Sequence, residues 1–107
     1  MNEFIFNDCN VCLNPHKIER TDDKNSIVIW TACAEGKWGF GISCMYNLGG
    51  MSHGVWSNSC VFESENQAIM EAIEKIKRYI IRTLTRNCKL FRMVEEILSE
   101  QLQPSLF

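Results

Sequence analysis

Between Ile69 and Leu98 apolar residues recur every three or four positions: Ile69, Ile73, Ile76, Ile80, Leu84, Cys88, Phe91, Val94 and Leu98. That spacing keeps one face of an α-helix apolar. The stripe never loses phase, so one helix could run through most of residues 64–103. At ~1.5 Å per residue it would be roughly 55 Å long, about twice the width of a domain of this size. A chain of 107 residues forms one domain, and a lone domain cannot cover such a stripe. Two arrangements solve the problem. The helix breaks near Thr83–Asn87, where Thr83, Thr85 and Asn87 are weak helix formers, and its halves fold back as a pair. Otherwise it stays straight and its far half packs on a second copy. The pair is the preferred expectation, although no Gly or Pro enforces the break. Ser64 is the expected N-cap, with Gln67 making an amide version of the capping box, and Pro104 closes the region.

Residues 27–62 carry the β signal. Ile27 to Thr31 is β-branched and aromatic. Glu35-Gly36-Lys37 supplies a short turn. Trp38, Phe40, Ile42, Cys44 and Tyr46 then alternate with Gly39, Gly41, Ser43, Met45 and Asn47. Period-two alternation puts the first set on a core-facing side. The glycines opposite leave room for something to approach the backbone closely. Asn47-Leu48-Gly49-Gly50 is a second turn, and Met51 to Phe62 predicts a third strand bent at Gly54. Residues 1–26 are mixed, with a short apolar run at Glu3–Phe6, a breaker at Asn14-Pro15 and a polar loop over Arg20–Ser26. The expected architecture is α+β: a three-stranded antiparallel meander covered on one face by a C-terminal helical pair, behind an N-terminal segment.

No run of about 18 apolar residues exists, so no membrane-spanning helix is expected. Met1 to Cys9 has no basic region followed by an apolar stretch, so it does not read as a secretory signal. The expected localisation is cytoplasmic, where the six cysteines are free thiols or metal ligands rather than disulfides.

Charge is unevenly placed. The chain has 11 Lys plus Arg against 13 Asp plus Glu. Yet Lys75, Lys77, Arg78, Arg82, Arg86, Lys89 and Arg92 follow one another with no acid between them until Glu95. On a helical wheel Lys75, Arg78, Arg82, Arg86 and Lys89 fall within about a quarter turn, nearly opposite the apolar stripe. Such a row suits successive phosphates or an acidic protein surface. A solvated helix face is the plainer explanation, but such faces usually mix signs to gain i,i+4 pairs. Here Arg78, Arg82 and Arg86 repel one another at that spacing.

Three further constellations stand out. Cys9-x-x-Cys12-x-x-x-His16 joins thiolates and an imidazole, the ligands of zinc, with His53 or another Cys as a fourth. The spacing matches no standard finger or ribbon, and partly buried thiols beside a loop histidine explain it as well. Trp30, Trp38 and Trp56 fall one per strand, either as core or as a stacking platform for bases. The order of a β region and a helix over roughly residues 27–82 resembles the start of a ribonuclease-H-like fold, and the small partial versions of it in some antitoxin proteins. Such a nuclease would carry metal-binding carboxylates on its first strand and helix. Ile27 to Ala34 carries none, which excludes two-metal nuclease chemistry. No P-loop, G-x-S-x-G or H-E-x-x-H occurs, so an enzyme is not expected. The functional expectation is a small binding protein whose contact set is Lys75, Arg78, Arg82, Arg86 and Lys89. The alternatives are a homodimeric interaction module and a zinc-stapled domain holding metal on Cys9, Cys12 and His16.

Overall fold

The computed structural model describes residues 4–46, 49–84 and 88–102. The chain is α+β, with a four-stranded antiparallel sheet in the order β1-β2-β3-β4. The strands are β1 (His16–Asp22), β2 (Asn25–Ala34), β3 (Lys37–Tyr46) and β4 (Gly49–His53). Two helices follow, α1 (Glu65–Tyr79) and α2 (Cys88–Leu102), with a π-helical segment, Ile80–Leu84, continuing from α1. The sheet therefore has one strand more than the three expected, and it starts at His16 rather than at residue 27. The expected polar loop over Arg20–Ser26 is a hairpin, with Asp22 opposite Asn25 and Asp23 in the left-handed region at φ 58°. The β2–β3 turn does lie at Glu35-Gly36, with φ 53° and 81°. Two consecutive positive φ values are the signature of the tight hairpin turn that suits strand twist.

Register assigns the two faces of the sheet. Ile27 and Ile29 lie opposite Cys44 and Ile42, and all four are buried with Ile69, Ile73, Ile76 and Ile80 of the first helical run. Leu90, Met93, Val94 and Ile97 of α2 complete the same core. The described part of the apolar stripe is thus packed within one chain by two helices on one face. Its phase shifts in α2: the fully buried residues centre on Leu90, Val94 and Ile97, while Phe91 and Leu98 sit at the margin. A π turn adds a residue per turn and rotates the helical path beyond it, so a stripe extrapolated from α1 misses the true face. Lys77 and Glu95 join the helices at 2.8 Å. The rest of the expected break, the start of the Asn47–Gly50 turn and the Pro104 stop lie outside the described residues.

The third expected strand is only partly a strand. β4 ends at His53, and the chain then crosses the sheet face away from the helices. At Gly41 a Cβ would meet Gly54 C and His53 O at 2.6 Å, so the crossing chain lies directly on the β3 backbone. This is the close approach that the alternating glycines predicted. Val55 and Cys60 from this segment, Cys12 from the N-terminal segment and Ala32 from β2 form a second small core, with Trp30 packed against it. Phe62 returns to bridge Trp38, with N–H···O distances of 2.8 and 2.9 Å. Ser64 then caps α1, its side chain accepting from Gln67 N at 3.2 Å. The Gln67 amide reaches back to Glu63 N at 3.0 Å, one residue further than a capping box requires. No described helix is long and apolar enough to cross a membrane.

Candidate binding surface on α1 and β4

The five cations of the expected contact set do not stay together. Lys75, Arg78 and Arg82 line one shallow cavity of about 210 Å³ with Met51 and Tyr79. Lys89 stands apart, 3.7 Å from Asp22 at the β1–β2 hairpin. Arg86 lies outside the described residues. The joint after α1 therefore breaks the row, because α2 lies across β2 while α1 lies over β3 and β2.

Each member of the remaining trio is placed by its element. In α1 the buried side is formed by Ala68, Ile69, Ala72, Ile73 and Ile76. Helical spacing turns Lys75, Arg78 and Arg82 outward, and Arg78 and Arg82 are exposed. The floor comes from the strand. Met51 and His53 pair with Cys44 and Ile42, so they share the helix-facing side of the sheet. His53 Nδ1 lies 3.0 Å from Gly54 O. A carbonyl only accepts, so that nitrogen carries the proton and Nε2 is left as an acceptor. Lys75 Nζ donates to it at 3.1 Å and also lies 5.9 Å above the Phe40 ring. Burial, and then the adjoining Tyr46, push the Tyr79 phenol above its usual range, so it stays a neutral hydroxyl.

Four further cations are matched, while Lys24 and Arg92 enter no ion pair among the described residues. Arg20 pairs with Glu100, Lys37 with Glu63, Lys77 with Glu95 and Lys17 with Glu19. Among the described residues Arg78 and Arg82 enter no ion pair, and no carboxylate lines their cavity.

The tryptophans do not form a platform. Trp38 is half-buried, 5.7 Å from Phe4 and 6.0 Å from His16 between ring centres. Trp30 is packed on the second core. Trp56 is 44% exposed and stacks on His53 at 5.7 Å. It therefore borders the cationic trio through one ring, a neighbour that sequence spacing did not reveal.

Cys9, Cys12 and His16 go to different places. Cys9 is exposed in a turn, and Cys12 is buried in the second core with its thiol 3.6 Å from Asn14 Oδ1. His16, opposite Thr31 in β1, points to the helical side, where Nδ1 donates to Glu65 Oε2 at 2.8 Å. Among the described residues no group of three or more His, Cys, Asp or Glu side chains is placed to hold a metal ion. Glu65 also accepts from Thr31 Oγ1 at 2.7 Å. This Thr31–Glu65–His16 trio, unseen in the sequence, is not a nucleophile array: Thr31 is 2% exposed, so its hydroxyl has no access to a substrate. It ties β1 and β2 to the start of α1. No known protein family, curated protein or solved structure matches the chain.

Proposed function

We propose that this chain is a non-enzymatic binding protein that uses Lys75, Arg78 and Arg82 to hold an anionic partner, with an acidic protein segment as the preferred class. The observation that carries this is the concentration of three cations around one cavity, two of them without an ion pair among the described residues. Unpaired arginines at i,i+4 repel one another, a cost that an anionic partner removes. Arginine also recognises carboxylate pairwise through its planar fork. The trio is short and Lys89 is engaged elsewhere, which suits a compact acidic segment better than a long duplex. A second reading, single-stranded nucleic acid, draws on one observation: exposed Trp56 offers a ring beside Lys75 by way of His53.

The test is a salt titration of binding to a Glu-rich peptide and to an oligothymidylate. Full use of the trio by a single strand predicts a log–log salt slope of about 2. The Arg78→Glu/Arg82→Glu variant should fold normally, because both side chains are exposed, and lose binding to whichever probe the wild type holds. Unchanged affinity in that variant, or no binding of either probe at low salt, refutes the reading.

A further inference from the structure

The two edges of the sheet are unlike. β1 carries Lys17, Glu19, Arg20 and Asp22, and its flanks hold the Lys17–Glu19, Arg20–Glu100 and Lys89–Asp22 pairs. Charged side chains on an outer strand are how a sheet blocks pairing with another chain. β4, Gly-Gly-Met-Ser-His, carries no formal charge apart from a protonatable histidine. Its inner side pairs with β3, and among the described strands nothing pairs with its outer side. Its outward N–H and C=O groups are therefore open to a partner strand.

We propose that β4 accepts an extended acidic peptide segment as a fifth strand, running in the groove between β4 and α1. The proposal rests on the reading of Lys75, Arg78 and Arg82 as the contact set and adds how the partner is held. Lys75 meets His53 at the end of β4, and Arg82 shares a cavity with Met51 two residues back. The cation row thus runs alongside the strand. In an added strand every second side chain would face α1, about 7 Å apart. Arg78 and Arg82 are about 6 Å apart along the helix. Carboxylates at alternate positions of the peptide therefore match successive arginines, while its backbone supplies the ladder and Met51 and Tyr79 supply apolar contact. A second copy of this chain fits the same edge poorly. Pairing β4 with itself about a two-fold axis normal to the sheet sets two rows of Lys75, Arg78 and Arg82 side by side, with repulsion and no carboxylate between them.

A random peptide library displayed on phage and selected against the whole chain supplies the probe. The tightest binder is then synthesised in three forms: unmodified, and N-methylated at either of its two alternating sets of residues. Strand addition predicts that selected peptides carry acids at every second position. One N-methylated set loses at least tenfold in affinity, the other keeps it, and amides of β4 exchange more slowly in the complex. If acidic peptides bind and lose affinity in Arg78→Glu/Arg82→Glu, but both N-methylated forms bind like the parent, strand addition is overturned and the contact set survives. If the double variant binds as well as wild type, both fall. If only an oligothymidylate binds and no peptide is enriched, the strand proposal is wrong and the nucleic-acid reading replaces it.

Discussion

Replacing Gly41 by Ala tests how the second face of the sheet is built. A Cβ at this position would lie 2.6 Å from Gly54 C and His53 O, and 2.9 Å from Gly54 Cα. Ordinary contact begins near 3.4 Å, so the crossing chain must withdraw by about 0.8 Å. The obstructing atoms are backbone, which cannot rotate away as a side-chain tip can. Adding one methyl to a tightly packed site costs about 1–3 kcal/mol, and backbone on the receiving side argues for the upper half, about 2–3 kcal/mol. For a domain near 100 residues this lowers Tm by about 8–15 °C. Gly36→Ala is the control. That glycine has φ +81° but nothing within 4 Å of its Cβ position, so only backbone strain of about 1 kcal/mol arises. Urea unfolding followed by circular dichroism gives both numbers, with the slope m expected to stay constant. The expected order, Gly41→Ala worse than Gly36→Ala, reverses the ranking that backbone angles alone would give. An equal or smaller cost at Gly41 refutes the close packing of the crossing segment on β3.

Glu65→Ala should destabilise by about 2 kcal/mol, since it strands the buried Thr31 hydroxyl. Adding Thr31→Val should recover most of that loss in the same unfolding assay, and a purely additive double variant would show that the hydrogen bond is unimportant. Burial pushes the Cys44 thiol up to about 11 from 9.0. A folded-state value above the unfolded one adds stability that is fully present below pH 9 and fades as pH rises toward 11, by about 3 kcal/mol in all. Cys44→Ala should therefore flatten the alkaline fall of the unfolding free energy relative to wild type, whatever its stability at neutral pH. Brief iodoacetamide labelling of folded protein should mark exposed Cys9 and spare buried Cys12, Cys44 and Cys60. Mass mapping that finds Cys44 alkylated before unfolding would contradict its burial.

The parts of the fold that the sequence disclosed are those with a dry face and a wet one. β2, β3 and α1 each bury a periodic set against the first core, and their spacing announces it. β1 was hidden because its inward positions are His16, Ile18 and Arg20, only half-buried, which leaves a single apolar residue to mark the period. The Cys–His cluster misled for a geometric reason. Cys12 and His16 are four residues apart but serve opposite faces of the sheet. The cationic row was legible as far as Arg82. Its division between Arg82 and Lys89 comes from the joint after α1, where no glycine or proline gave warning. The bend at Gly54 was legible, but Met51 and His53 entered the surface only through strand register, and Trp56 only through its stacking on His53, which no local pattern reports.

The inequality of the two sheet edges also limits how this protein can assemble. Open-ended growth requires a head and a tail that fit one another, so that each added copy presents a fresh acceptor. Here a charged β1 is a poor tail for β4. Copies that do pair through their sheets at high concentration must use β4 on both sides, and that consumes the free edge of each. Any such association ends at two subunits, and light scattering of concentrated protein should never climb past the mass of a dimer toward fibres.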